Sequence, residues 1–197
     1  MVINMNKELA NLIIADLSRI YPGKKSLKDF SIKEKFFMSP ELKYQILWRK
    51  ASYYRQNKPS GFLSKWYGIK LMKELKKTHI NIPSETHIDK GLFIGHLGRI
   101  VIHPEAKLGK NINLSAGITI GQANRGKMKG VPTIQDNVWI GTGAVIVGNI
   151  TIGTDVIIAP NAFVNTDIPS HSIVIGNPAV IHPKDNATYG YISNPVK

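Results

Sequence analysis

Chemistry at neutral pH needs groups that attack or that exchange protons, and this chain offers few. It has no cysteine, so a thiolate nucleophile, a disulfide and a cysteine-held zinc are excluded together. Six histidines remain, and imidazole is the side chain that trades a proton near pH 7. His96 differs from the rest by position, flanked by Gly95 and Gly98 and beside an interruption in a repeat. His103 follows a repeat isoleucine, in a slot that faces solvent, while His87, His171 and His182 fall at turns or in the tail. His79 lies seventeen residues before His96, close to one eighteen-residue turn of the repeat, and is a second candidate neighbour. A metal site needs a cluster of ligands that this spacing does not supply, so no metal is expected.

The elements that must hold such a residue are read from that repeat. From residue 82, isoleucine, leucine or valine recurs every six residues: at 82, 88 and 94, at 102, 108, 114 and 120, then at 134, 140, 146, 152, 158 and 164. A small or β-branched residue often stands four positions later, as at Ala106, Ile112, Ile118, Val138, Ala144, Ile150, Val156, Ala162 and Ile168. A six-residue period fits neither a helix of 3.6 residues per turn nor a flat strand. It fits a chain that makes a short strand, turns through a third of a circle and repeats, stacking each coil about 4.8 Å above the last. The expectation is a mainly β fold, a left-handed parallel β-helix, whose open ends must be covered, one by the helices before residue 78 and the other by the Ile173–Ile175 segment and the tail to Lys197. The register slips twice, by two residues between Ile94 and Ile102 and by a Gly/Lys-rich excursion, Gln122–Thr133, before Ile134. In a solenoid such insertions map to exposed loops that build sites.

Ahead of the repeat the pattern is helical. Leu9, Leu12, Ile13, Leu17 and Ile20 recur at three-to-four spacing up to Tyr21-Pro22-Gly23. Ser39-Pro40-Glu41 opens a second helix to about Gln56, and after the breaker Lys58-Pro59-Ser60-Gly61 a third covers 62–77. The expected layout is a helical front at 1–78, a β-helix at 79–183 with loop 122–133, and a tail at 184–197. Residues 1–79 carry 17 Lys/Arg against 6 Asp/Glu, within a total of +13 over 197 residues. That basic front is read as a solvated helical surface, or as a face toward an acidic glycan or an anionic membrane. Its basic and aromatic residues follow helical spacing and not a nucleic-acid-binding pattern, so nucleic acid is not an expected partner. The opening residues have no secretory pattern and no apolar run reaches membrane-spanning length, which gives a cytoplasmic expectation.

The segments GLFIGHLGRIVIHPEAKLGKNINLSAGITIGQ (91–122), VWIGTGAVIVGNITIG (138–153) and IPSHSIVIGNPAVI (168–181) resemble the hexapeptide-repeat acyltransferases, and specifically their serine acetyltransferase branch. The resemblance implies acetyl-coenzyme A as co-substrate, a homotrimer with the coenzyme between neighbouring prisms, and His96 as the general base. A hydroxyl must lose its proton as it attacks the thioester carbon, and neutral imidazole can take it. For the cofactor groove the resemblance implies Gly121, Thr142, Gly143 and Pro160, with Trp139 as a wall or a subunit contact and Lys127, Lys129 and Lys184 facing phosphates. Asn81 stands where the family has an aspartate that orients the histidine, and Glu85 is a substitute carboxylate. Gly95 replaces a second aspartate, and Gly130-Val131 replaces an arginine–histidine pair that grips amino-acid substrate. These departures favour a sugar hydroxyl in surface-polysaccharide synthesis as the acceptor. Serine acetylation is the alternative, an antibiotic-acetylating enzyme the third, and a silent scaffold the reading from another class.

Overall fold

The computed structural model describes residues 2–197; Met1, the first residue of the expected helical front, lies outside them. Helix α1 spans Val2–Ser18, a short 3-10 turn Leu27–Asp29, α2 Ile32–Phe36, α3 Pro40–Asn57 and α4 Phe62–Thr78. The three expected helices are present. The two short elements between the first and second of them were not expected, although each begins with a serine paired to an acid three residues on: Ser26 with Asp29 and Ser31 with Glu34. Both are reciprocal caps, in which each side chain takes the other residue's free N–H. Ser39 caps α3 by accepting from Leu42 N, with Pro40 in the first turn.

From Ile80 onward the chain makes two- to four-residue strands that stack into three sheets. The first sheet holds β1 (Ile80–Asn81), β4 (Ile100–Ile102), β7 (Thr119–Gly121), β10 (Val145–Val147) and β13 (Phe163–Val164). The second holds β2 (His87–Ile88), β5 (Lys107–Leu108), β8 (Thr133–Ile134) and β11 (Thr151–Ile152). The third holds β3 (Phe93–Ile94), β6 (Asn113–Leu114), β9 (Val138–Ile140), β12 (Val156–Ile158), β14 (Ser172–Ile175) and β15 (Val180–Pro183). All neighbours are parallel except β14 and β15. The fold is a triangular β-solenoid, and every repeat residue from Ile82 to Val164 is buried inside it.

Register shows what the two slips do. Ile102 pairs with Ile120 and Ile146 with Val164, one eighteen-residue coil apart. Ile94 pairs with Leu114, so the coil that contains His96 has twenty residues. The extra two form the corner Gly95–Arg99, where the chain leaves the third sheet for the first. The longer excursion bulges between β7 and β8 and is pinned by an antiparallel bridge, Ala123 to Gly130, and by Asn149 N–H to Met128 C=O at 2.9 Å.

The first coil would expose a raw edge, and α3 covers it. Tyr44, Trp48 and Ala51 of α3, with Leu71 of α4, join the solenoid core. Three polar residues one helical turn apart then satisfy the edge backbone in sequence. Glu41 accepts from Leu97 N–H at 3.2 Å, and Gln45 accepts from Ile94 N–H at 3.2 Å and donates to Leu92 C=O at 2.8 Å. Arg49 donates to the carbonyls of Ile88 and Asp89. Arg49 also makes a two-pronged pair with buried Asp16 of α1 at 2.7 and 3.0 Å. Asp16 Oδ1 in turn accepts from Gly91 and Leu92 N–H. Burial pushes the Asp16 carboxyl up, against the pull of Arg49 and these two N–H groups.

The tail was expected to finish the far end of the prism. Instead β15 turns back on β14, and the residues beyond it travel the length of the solenoid to the helical front. Asp155 takes Ala187 N–H, Thr188 N–H and the Thr188 hydroxyl. Asn113 donates to Tyr191 C=O, Arg19 Nε to Ser193 C=O at 2.6 Å, and Asn111 exchanges two hydrogen bonds with Val196. Among the described residues no helix is long and apolar enough to cross a membrane.

Candidate functional site

His96 sits exposed on the widened corner between β3 and β4. Two neighbours hold this loop. Leu97 packs against the solenoid core while its N–H is taken by Glu41. Gly98 lies at φ +146, where a Cβ would come within 2.9 Å of Ala116 Cβ, so only glycine lets the loop rest on the coil above. Glu41 was not among the expected site residues. It reaches the loop from the first turn of α3, where its carboxylate takes the N–H of Leu97, the residue after His96. Burial works to raise the Glu41 carboxyl, but hydrogen bonds from its own backbone, Ser39 and Leu97, with the pull of His96, outweigh it and leave it below the ordinary glutamate value. The signal that would have found it is the contact between the helix start at Ser39-Pro40-Glu41 and the first coil, which no local pattern announces.

Above His96 the same corner recurs in each coil, and it is built from small residues. Gly143 N–H donates to Ala116 C=O at 3.0 Å and Asn161 N–H to Thr142 C=O at 2.9 Å, which places Ala116, Thr142 and Pro160 in one column. A Cβ on Gly141 would stand 2.6 Å from Pro160 N, and one on Gly143 would strike the Asn161 side chain. Thr142 and Pro160 are exposed along this column. The arrangement is a shallow seam that leads away from the imidazole, bare of bulky side chains, with backbone close to its surface.

The other expected residues divide among different places. Pro160 also borders a cavity of about 870 Å³ on the third sheet, lined by Trp139, Ile157, Lys184 and Tyr191. Trp139 packs edge-on against Tyr191 of its own tail, ring centroids 5.1 Å apart. Gly121 ends β7, and Lys127 and Lys129 are exposed on the loop that follows it, at the corner between the first and second sheets. Within one chain these lysines are on a different corner from His96.

Asn81 is exposed in β1, level with Val101. Among the described residues no hydrogen bond joins Asn81 to His96. Glu85 lies on the turn after β1, bound to Arg55 Nε at 2.8 Å and to Ser84 at 3.1 Å. Burial raises its carboxyl, and its own backbone N–H, Ser84 and Arg55 outweigh that and lower it. Both residues line a cavity of about 540 Å³ against α4. His79 is the left-handed C-cap of α4, at φ 57. The twenty-residue coil puts it level with Arg99, one place before the pair Ile80 and Ile100, and three past His96. Among the described residues no group of three or more His, Cys, Asp or Glu is placed to hold a metal ion.

Residues 132–166 match the family model described as bacterial transferase hexapeptide (six repeats). A serine acetyltransferase of Staphylococcus aureus (strain Mu50 / ATCC 700699) is 37% identical over 113 residues, covering 57% of this chain and 53% of the relative. One from Staphylococcus epidermidis is 33% identical over 128 residues, 64% of this chain and 60% of the relative. The chain thus spans about half the length of the curated relatives it matches. Among solved structures, Neisseria gonorrhoeae serine acetyltransferase in complex with serine superposes with a TM-score of 0.70 at 24% identity, over 89% of this chain and 69% of that one. Serine acetyltransferase isoform 3 of Entamoeba histolytica, in complex with cysteine, gives 0.68 at 26%, over 93% and 64%. All of these proteins are named as serine acetyltransferases, and none as a polysaccharide enzyme.

Proposed function

We propose that this chain transfers acetyl from acetyl-coenzyme A to a hydroxyl, with His96 as general base and serine as the acceptor that its relatives favour. The observation that carries this reading is the exposed imidazole of His96, next to Leu97 whose N–H the Glu41 carboxylate takes, at the head of a corner column free of bulky side chains. The acceptor oxygen attacks the thioester carbonyl carbon while its proton passes to the imidazole. The C–S bond then breaks, and the departing thiolate recovers a proton from the imidazolium. Glu41 stabilises that imidazolium by charge, a task that neutral Asn81 cannot perform. The seam from Ala116 past Thr142 to Pro160 suits the narrow pantetheine arm, which needs backbone groups close at hand.

A neighbouring copy completes this picture. The outward residues of the second sheet are His87, Lys107, Thr133 and Thr151, all exposed, whereas the first sheet beyond exposed Asn81 shows the half-buried Val101, Thr119, Val145 and Phe163. The apolar sheet is the one for a subunit contact, and in a trimer a partner's loop 122–133 brings lysines toward the corner they lack in one chain.

Sugar acetylation keeps one supporting observation. Gly130-Val131 offers no cation for an amino-acid carboxylate, where the resemblance expects an arginine–histidine pair. The test is release of free coenzyme A thiol by the purified protein with L-serine and, in parallel, with mono- and oligosaccharides. Serine-dependent release supports the favoured reading, glycan-dependent release replaces it with the sugar reading, and no release with any acceptor overturns both.

A further inference from the structure

Helix α4 shows two faces of different chemistry. Ser64, Leu71 and Thr78, seven residues apart, form the buried side that meets α3 and the first coil. On the opposite side Phe62, Leu63, Trp66, Ile69 and Met72 are 76, 41, 46, 55 and 68% exposed. Five large apolar side chains on one helix face are more than scattered surface hydrophobics. Phe62 and Trp66 stack at 6.1 Å, and Lys70 Nζ lies 4.8 Å over the Trp66 ring. Lys65, Lys70, Lys73, Lys76 and Lys77 are exposed on the same helix, with Glu74 as its sole acid. Glu74 is spent on Lys77 at 3.2 Å. On the helical wheel the lysines share the outward half with the apolar residues, the latter toward the N-terminal end and the former toward the C-terminal end.

The charge decides the occupant. A second copy meeting this face with the same face would bring five lysines against five. A nucleic acid would pair the lysines and leave Phe62, Leu63 and Met72 in water. A bilayer with anionic headgroups satisfies both parts, since apolar side chains enter the acyl boundary while lysines reach phosphates from the interface. We propose that α4 docks this protein on an anionic lipid surface, lying in the interface with Phe62, Leu63, Trp66, Ile69 and Met72 inserted. The proposal is independent of the acceptor and of the role given to His96.

The test uses the full chain with vesicles of phosphatidylcholine alone and of phosphatidylcholine with about 30% phosphatidylglycerol. We expect co-sedimentation at least ten-fold greater with the anionic vesicles, falling away in about 0.5 M salt. Trp66 emission should shift to the blue on binding. It is the reporter because Trp48 is buried and Trp139 is packed on Tyr191. The pair Trp66→Ser/Ile69→Ser, and separately Lys70→Glu/Lys73→Glu/Lys76→Glu, should each lower binding at least ten-fold with an unchanged melting temperature. Equal binding to both vesicles, no binding by the parent chain, or full binding by the apolar pair overturns the proposal. A change in mass by light scattering in that pair, with no vesicle binding by the parent, assigns the face to a second copy and overturns it as well.

Discussion

At the scale of single residues, proton transfer and charge compensation are held by different parts of the chain. His96→Ala should lower turnover on the true acceptor by roughly 10²–10⁴ with little change in melting temperature, since the side chain is exposed. Kinetics and calorimetry on the same preparation check this, and unchanged turnover would remove His96 from the mechanism. Glu41→Gln keeps an acceptor for Leu97 N–H and removes the charge. It should cost about ten-fold in turnover, the equivalent of ~1.4 kcal/mol, because the imidazolium formed during the reaction loses a negative neighbour. Unchanged turnover would make Glu41 structural only. His96 was legible in the sequence through the slip beside it and the glycines around it. Glu41 was not, because its relation to His96 crosses 55 residues and exists only once α3 lies along the first coil.

At the scale of elements, most of the solenoid could be read in advance. Burial inside a triangular prism imposes one rule on every coil, and each repeat position from Ile82 to Val164 obeys it. What the period does not encode is what lies against its outer faces, so Trp139 on Tyr191 and the return of the tail came only with the fold. The capping boxes at Ser26 and Ser31 were readable and passed over, since two short turns leave no apolar periodicity. The corner carrying His96 depends on Gly98. Gly98→Ala should displace the loop from Ala116 and cost about 1–3 kcal/mol of local strain, seen as a larger fractional loss of turnover than of thermal stability. The tail depends on Asp155, whose carboxyl burial raises and whose hydrogen bonds with Thr188, His171 and Ala187 bring below its usual value. A lowered folded-state value means that this stabilisation is present above the ordinary aspartate range, near 3.8, and is lost as pH falls through the folded value. Hydrogen exchange at the Thr188 amide should therefore accelerate below about pH 4, while the amides of β9 and β12 stay protected.

At the scale of the whole molecule, helices and coils form one body. A shared core runs from Tyr44 and Trp48 through the prism to Val174, and one buried ion cluster ties α1, α3 and the first coil. Asp16→Asn leaves Arg49 and Arg19 deep in the protein without their counter-charge. Burial already lowers the Arg19 guanidinium to about 10, a sign of how much that charge resists the interior. Breaking such a cluster on one side costs about 3–5 kcal/mol. Denaturant unfolding should show one cooperative transition at a lower midpoint and not separate melting of front and prism. Two resolved transitions would contradict the single-body description. Such a replacement leaves His96 and its corner intact below the transition, which separates stability from chemistry in the same variant.

The returning tail also bears on the order in which the molecule can be made. A repeat stack is in principle a chain of neighbours, each coil settling on the one before as it emerges from synthesis. Here Arg19 waits for Ser193 and Asn194, partners 174 and 175 positions away. The end of α1 is finished only by residues that follow every coil, so final locking of the front must await synthesis past Asn194. Long-range closure of this kind slows assembly relative to a simple stack and makes it all-or-none. A chain arrested before Ser193 would hold a stacked prism with an unfastened front.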